Sequence, residues 1–246
     1  MAAHKSTRQR KIGLALGSGS ARGWAHIGVL RALAEHGVYP DIICGTSIGA
    51  LVGAAYAADE LDPLENWVRE MSMGDMLRLV DVSLSTGLLK GKRLVRYLRE
   101  NFSDRPIESL PLPFAAVATD LTTGAEVWMR QGSMMDAVRA SIALPGIFTP
   151  VFHEGRLLTD GGLVNPVPVS LARAMGADIV IAVDLNSDLL GRHLQGQNDE
   201  SEQTALAGDK GETSDVTPGL MQRLQSGWAS LMPQQQQKEN DSTSKM

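Results

Sequence analysis

Three short stretches of this chain carry residue types that could do chemistry together. The first is residues 44–50, CGTSIGA, in which Ser47 stands between Gly45 and Gly49. A serine with a glycine two residues away on each side, between a buried strand and a helix, is the sequence form of a nucleophile elbow. It predicts that the Ser47 hydroxyl attacks a carbonyl carbon. The same letters also fit an ordinary tight turn.

The neighbours of Ser47 are the residues that such an elbow needs. A nucleophile at an elbow has strained backbone angles, and side chains at positions 45 and 49 would collide with the surrounding chain. Gly45 and Gly49 remove those collisions. The amide of Ile48, at the start of the following helix, would then point at the negative charge that develops on the attacked oxygen. We therefore expect Ile48 to donate to an oxyanion hole.

The second stretch is GSGSARG at residues 17–23. Its glycines stand at 17, 19 and 23, so the G-x-G-x-x-G spacing of a dinucleotide site fails, with Arg22 in the sixth place. A phosphate-loop lysine is missing as well. What remains is a run of backbone N–H groups at a helix start beside an arginine. Such a loop suits a transient negative charge as well as a phosphate, and a flexible glycine turn is the third interpretation.

The third stretch follows from the search for a base. A conventional triad needs a histidine. The five histidines fall in polar segments, in or at the end of the first predicted helix, or in a turn: His4, His193, His26, His36 and His153. Elimination favours a carboxylate, and Asp160 is the best candidate. It ends a short strand, and Gly161 and Gly162 after it let another backbone approach closely, although an ordinary Asp-Gly turn looks the same.

An aspartate has an ordinary pKa near 3.9, so it is a weak base in water. It can accept the Ser47 proton when the hydrogen bond between them is short and partly removed from solvent. The residues therefore predict a dyad of Ser47 and Asp160, without a histidine.

The elements around these stretches must bring them together. A strand over 12–16, the glycine loop, a helix over 24–36, a strand over 41–44 and a helix over 48–58 make a βαβ opening. Further helices are predicted over 62–71, 92–100, 133–142 and 167–175, and further strands over 114–119, 126–129, 156–159 and 178–184. The alternation predicts an α/β fold with a largely parallel sheet and helices on both faces.

Composition divides the chain into three parts. With 246 residues and 43% hydrophobic content, the chain can bury one sizeable core. We expect a flexible N-terminal segment over 1–10, a catalytic domain over 11–186, and a polar tail over 187–246 that is mostly disordered. Residues 72–100 are rich in methionine, leucine and basic side chains, which fit either a cover over the site with contacts to anionic headgroups, or core packing and a solvated helix face.

Bulk properties exclude several classes of partner. The formal net charge is −5 and no long basic stripe is present, so nucleic acid is not expected as a partner. The single cysteine, Cys44, excludes an intramolecular disulfide framework and a thiolate zinc site, and no cofactor or metal is expected. No apolar run approaches the roughly 18 residues of a membrane span. The expected location is the cytoplasm, with any membrane contact peripheral, at the inner face.

Taken together, GSGSARG, GTSIG and DGG, in that order and spacing, resemble the bacterial patatin-like phospholipase family, especially its RssA-like branch. The flanking phrases KIGLALGSGSARGWAHIGVLRAL, VRASIALPGIFTPV and DGGLVNPVPVSLARAMGADIVIAVDLN are similar to that branch as well. The resemblance covers most of residues 11–186. It implies a three-layer α/β/α fold with a mostly parallel central sheet and a lipid or acyl-ester substrate.

The resemblance also implies roles for individual residues. Ser47 would be the nucleophile and Asp160 the general base, with an oxyanion hole from the backbone of Gly17, Ser18 and Gly19. Supporting positions would be Arg22, Gly23, Gly45, Gly49, Gly161 and Gly162. Such relatives often continue past VDLN into further helix and strand, so the polar tail is either a lineage-specific end or the mark of an incomplete gene. An acyltransferase using the same acyl-serine, and a regulatory or scaffold protein that keeps the fold, are the alternative functions.

Overall fold

The structure is a computed structural model, and it describes residues 10–71 and 92–187. The predictions of a flexible N-terminal segment and of a disordered tail concern residues outside this part of the chain. The predicted cover over 72–100 lies mostly outside it too. In its described part, residues 92–100, the Arg99 guanidinium pairs with Asp104 and Asp136.

The described strands alternate with helices in the first half of the chain. The strands are β1 (Ile12–Leu16), β2 (Ile42–Thr46), β3 (Phe114–Asp120), β4 (Glu126–Met129), β5 (Val151–His153), β6 (Arg156–Asp160) and β7 (Ile179–Val183). The helices are α1 (Ala25–Glu35), α2 (Ile48–Ala57), α3 (Leu61–Glu70), α4 (Lys92–Asn101), α5 (Met134–Ser141) and α6 (Val169–Ala174). Short 3-10 turns precede α1 and follow β6, at Ser20–Trp24 and Gly161–Leu163.

All seven described strands belong to one sheet. Its order is β5-β6-β3-β2-β1-β7, and β4 also pairs with β3. The four strands β7, β1, β2 and β3 are parallel, whereas β4, β5 and β6 join in antiparallel fashion. The predicted α/β class with a mostly parallel sheet is therefore confirmed. Two of these antiparallel pairs, β3–β4 and β5–β6, are hairpins, which need only a short turn, whereas a parallel crossover needs a dozen or more residues.

Helices cover both faces of the parallel strands, as the three-layer prediction requires. Side chains alternate along each strand, so Leu14, Ile43 and Phe114 face one side and pack with α1, α2, α3 and α5 in the larger core. Cys44 and Val117 face the other side and pack with α6 in a smaller core. The parallel strands β1, β2 and β3 are buried on both faces over most of their length, which is the pattern of a sheet covered by two layers.

One predicted element was wrong. His153 was placed in a turn, but it ends the three-residue strand β5, which pairs with β6. The turn is only Glu154 and Gly155, both with positive φ (47° and 79°). A strand of three residues is too short to show an alternating pattern in the sequence, so the turn signal of the Glu-Gly pair dominated.

Candidate active site

Ser47 occupies a sharp turn between β2 and α2. Its backbone has φ 57° and ψ −124°, a conformation that residues other than glycine rarely adopt. A Cβ added at Gly45 would lie 2.4 Å from the carbonyl oxygen of Gly49, and one at Gly49 would lie 2.3 Å from that of Leu16. Both contacts are too close for any side chain. The two glycines therefore let the chain reverse directly at Ser47.

A buried serine holds this turn from a neighbouring helix. The Ser47 N–H donates to Oγ of Ser141, at the end of α5, over 2.8 Å. Ser141 is fully buried. A strained backbone persists only where its surroundings over-determine it, and this hydrogen bond is one such constraint. Ser141 could not be predicted from the sequence, because nothing in the local pattern connects α5 with the elbow.

The placement of Asp160 follows from the pairing of two strands with β3. Thr46, the last residue of β2, lies opposite Val117, and Asp160, the last residue of β6, lies opposite Ala118. Because β2 is parallel to β3 and β6 is antiparallel, the two strands run towards each other and end at adjacent positions of β3. Residues more than a hundred apart in the sequence therefore meet in space.

At this junction the Ser47 hydroxyl and the Asp160 carboxylate are in direct contact. Ser47 Oγ donates to Asp160 Oδ2 over 2.6 Å. The other carboxylate oxygen, Oδ1, accepts from the Gly162 N–H over 2.7 Å. Asp160 is only 4% exposed. The structure thus brings the two predicted residues within hydrogen-bonding distance of each other.

Burial sets the electrostatics of Asp160. Removal from water disfavours the ionised form and raises the pKa of Asp160, while the hydrogen bonds from Ser47 and Gly162 act in the opposite direction. The raised pKa makes the carboxylate a stronger base than a solvated aspartate. The arrangement can therefore withdraw the Ser47 proton during attack on a carbonyl carbon.

The glycines after Asp160 allow the close approach that was predicted for them. A Cβ at Gly161 would lie 2.2 Å from the Val117 carbonyl oxygen, and one at Gly162 would lie 3.0 Å from Asp160 Oδ1. Gly23 has the same function in the glycine loop, since a Cβ there would lie 1.9 Å from Cγ2 of Ile48. The loop over 17–23 therefore packs directly against the residue that follows Ser47.

The loop amides differ from the expectation. The Gly17 N–H donates to the Val183 carbonyl over 3.0 Å, and the Ser18 N–H donates to that of Pro166 over 2.8 Å. These two amides are already engaged, so the prediction that they donate to an oxyanion is not supported. The Gly19 N–H donates to no acceptor within residues 10–71 and 92–187. At the start of α2, the Ile48 N–H is one of the first-turn donors that have no partner inside a helix.

Two further side chains hold the loop. His26 is fully buried in α1, and its Nε2–H donates to the Gly17 carbonyl over 2.7 Å. Asn186, which follows β7, donates through Nδ2 to the Ser18 carbonyl and accepts from Arg22 through Oδ1. Neither His26 nor Asn186 was predicted from the sequence to hold this loop.

No described histidine takes the role of base. Burial lowers the pKa of His26, and its ring faces Gly17. His36 bonds to the carbonyl of Ala32 through Nδ1, at the end of α1. His153 Nε2 lies 4.0 Å from Glu154 Oε1. In the sheet, His153 is opposite Arg156, the first residue of β6, whereas Asp160 is the last. The length of the strand between these two ends is roughly 13 Å. The other two histidines lie outside the described residues.

Comparisons with known proteins show which family this chain is similar to. The family model described as patatin-like phospholipase matches residues 14–173. An NTE family protein of Mycobacterium tuberculosis is 44% identical over 182 residues, which cover 74% of this chain and 51% of that relative. Patatin-like phospholipase domain-containing protein 6 of Homo sapiens is 40% identical over 184 residues, which cover 72% of this chain and 13% of that relative.

This chain therefore matches about half the length of the mycobacterial relative and a small part of the human one. Among solved structures, VipD from Legionella pneumophila matches 63% of this chain and 46% of its own, with a TM-score of 0.46 and 16% identity.

Proposed function

Because this chain belongs to the patatin-like phospholipase family, we propose that it is a serine lipid acyl hydrolase of the phospholipase A or lysophospholipase type. It cleaves a fatty-acyl ester through an acyl-serine intermediate formed by Ser47 and Asp160. The observation that carries the proposal is the 2.6 Å hydrogen bond from Ser47 Oγ to a buried carboxylate at a strained elbow. The family alone would be compatible with a site that has lost its chemistry.

In the first half of the reaction, Ser47 Oγ attacks the ester carbonyl carbon while its proton moves to Asp160 Oδ2. The carbonyl oxygen becomes an oxyanion, which accepts hydrogen bonds from the amides of Gly19 and Ile48. The tetrahedral intermediate then collapses, the bond from carbon to the alcohol oxygen breaks, and Asp160 returns the proton to the leaving alcohol. The fatty acyl group stays on Ser47.

In the second half, water takes the place of the alcohol. Asp160 accepts a proton from the water as its oxygen attacks the acyl carbon. The second intermediate collapses, Ser47 recovers its proton from Asp160, and the fatty acid leaves. One carboxylate therefore acts as base and acid in both steps, and no second titratable group is needed.

Lipids are the substrate class that this family membership supports. Two relatives bear the name patatin-like phospholipase domain-containing protein, numbers 6 and 7. Within residues 10–71 and 92–187, no helix has the length and apolar character to span a bilayer. We propose that contact with lipid is peripheral and that the protein works at the cytoplasmic face of the membrane.

Covalent labelling tests the proposal. Purified full-length protein is incubated with a fluorophosphonate probe, and the modified residue is located by mass spectrometry. We expect the label on Ser47, no label on Ser47→Ala, and full labelling of Ser109→Ala, which removes an exposed hydroxyl from a 3-10 turn. An unlabelled wild-type protein, or equal labelling of Ser47→Ala, would contradict the proposal.

Product analysis separates hydrolysis from acyl transfer. Wild-type protein that reacts with the fluorophosphonate probe is given p-nitrophenyl butyrate and, in a separate assay, phosphatidylcholine vesicles, with and without an added alcohol. We expect free fatty acid and lysophospholipid as products, at a rate that the added alcohol does not divert. Recovery of the acyl group mainly on the alcohol would identify a transferase instead.

A further inference from the structure

Asn186 occupies a position where the last strand meets the glycine loop. β7 is parallel to β1, with Val183 opposite Leu16, so the chain leaves both strands at the same edge of the sheet. Asn186 Nδ2 donates to the Ser18 carbonyl oxygen and to Ser18 Oγ, both over 3.1 Å. Its Oδ1 accepts from Arg22 Nη2 over 2.9 Å. One side chain therefore binds the loop at two places.

The bond to the Ser18 carbonyl has a direct geometric consequence. The Ser18 C=O and the Gly19 N–H belong to one planar peptide unit, and in a trans peptide they point in opposite directions. A hydrogen bond that holds the Ser18 oxygen therefore also sets the direction of the Gly19 N–H. That N–H is the first loop donor which the described residues leave available, since the amides of Gly17 and Ser18 are engaged elsewhere.

Ser18 also connects this peptide unit with the base. A Cβ added at Gly162 would lie 3.4 Å from Cβ of Ser18, so the loop and the turn after Asp160 are in contact there. The Gly162 N–H in turn donates to Asp160 Oδ1. Asn186, three residues past the end of β7, therefore binds a residue that also packs against the turn after Asp160.

We propose that Asn186 is a positioning residue, which orients the Ser18–Gly19 peptide so that the Gly19 N–H points at the oxyanion. This inference rests on the proposed function, in which that N–H stabilises the transition state. An interaction made only in the transition state affects kcat and leaves KM unchanged. A peptide unit that turns away from its position is expected to cost about 10- to 100-fold in rate.

Two substitutions test the inference in the full-length protein. Asn186→Leu removes both hydrogen-bonding atoms. Asn186→Asp is nearly isosteric and keeps an acceptor for Arg22, but its carboxylate cannot donate to the Ser18 carbonyl. With p-nitrophenyl butyrate, we expect kcat of both variants to fall about 10- to 100-fold at unchanged KM. If the leucine variant does not fold, the aspartate variant carries the test.

A second readout separates positioning from a general structural effect. An alkyl trifluoromethyl ketone adds to a catalytic serine as a hemiketal oxyanion, so its inhibition constant depends on the oxyanion donors. We expect this constant to rise in both variants by the same factor by which kcat falls. The acid limb of the pH–rate profile should stay in place, because Asp160 keeps its own contacts.

Asn101 provides the matched control. Its Nδ2 donates to the Tyr97 carbonyl over 2.8 Å at the exposed end of α4. Asn101→Leu and Asn101→Asp remove a comparable hydrogen bond elsewhere, and we expect wild-type kcat from both. An active wild-type protein whose Asn186 variants match the Asn101 variants in kcat and inhibition would overturn this inference alone. A wild-type protein without esterase activity would overturn the proposed function, and with it the premise of the inference about Asn186.

Discussion

Replacement of Asp160 by asparagine removes a charge and almost nothing else. Asparagine has nearly the same shape, its oxygen can still accept from the Gly162 N–H, and its amide can contact Ser47 Oγ. The negative charge is lost from a site that is only 4% exposed. Asp160→Asn therefore tests both the role of Asp160 as general base and the energetic cost of burying its charge.

The effect on catalysis follows from the role of a general base. Such a group typically contributes about 10²- to 10⁴-fold in rate, which is about 2.7–5.4 kcal/mol of transition-state stabilisation. Within the proposed site, Asp160 is the group that accepts the Ser47 proton. We expect fluorophosphonate labelling and ester hydrolysis by Asp160→Asn to fall by at least two orders of magnitude.

The same substitution, Asp160→Asn, is expected to stabilise the folded protein at neutral pH. Burial raises the pKa of Asp160 above its ordinary value of 3.8, so between the two values the folded protein binds more protons than the unfolded chain. Stability therefore falls as the pH rises through that window, and at neutral pH the wild type carries the cost of the buried charge. Asp160→Asn lacks this cost. We expect it to unfold at a higher temperature than wild type at pH 7, with a difference that shrinks towards pH 3.8.

A second buried aspartate provides a matched control. Asp120 ends β3, and its carboxylate accepts from the amides of Thr122 and Thr123. These hydrogen bonds lower the pKa of Asp120, so its charged form stabilises the fold. Asp120→Asn should lower the melting temperature at pH 7 and keep the labelling of Ser47. Labelling of Asp160→Asn at the wild-type rate would contradict the role of Asp160 as general base. A lower melting temperature of this variant at pH 7 would contradict the energetic cost of burying the Asp160 charge.

Two further predictions concern residues near the elbow. Ser141→Ala leaves the Ser47 N–H buried without its acceptor, which costs about 1–3 kcal/mol. We expect a lower melting temperature and slower fluorophosphonate labelling, and unchanged labelling would show that the elbow does not need this bond. Burial raises the pKa of Cys44 to about 12. The native protein should therefore resist iodoacetamide at pH 8 and react after unfolding in guanidinium, whereas rapid modification of the native protein would contradict this burial.

The sharp turn at Ser47 could be predicted from the sequence because its requirements are local. A serine with strained backbone angles needs small neighbours within two residues, and Gly45 and Gly49 record that need directly. The parallel strands were also predictable, since their apolar runs are bounded by loops and helices. The three-residue strand β5 was not, because so short a segment carries no period.

The partners of the elbow were harder to predict because they depend on pairing between strands. Apart from the family resemblance, Asp160 could be reached only by eliminating the histidines, since its contact with Ser47 depends on where β2 and β6 end along β3. Ser141 and Asn186 had no local signal of comparable strength. Asn186 had a weak one: it is a polar residue just past a buried strand, at the edge where parallel strands place their functional side chains.

The glycine loop over 17–23 shows why residue types alone could not identify the donors of the proposed oxyanion hole. Every residue type except proline offers a backbone N–H, so the letters GSGSARG do not distinguish one amide of the loop from the next. The distinction arises because hydrogen bonding between β1 and β7 continues one residue past the strand, where Gly17 donates to Val183, and Ser18 then donates to Pro166. Gly19 is the first amide beyond these constraints. The loop thus continues the hydrogen-bonded sheet up to Ser18, and under the proposed function it offers donors to an oxyanion only from Gly19 onward. A substitution at Asn186, just past β7, is therefore expected to alter the proposed oxyanion site.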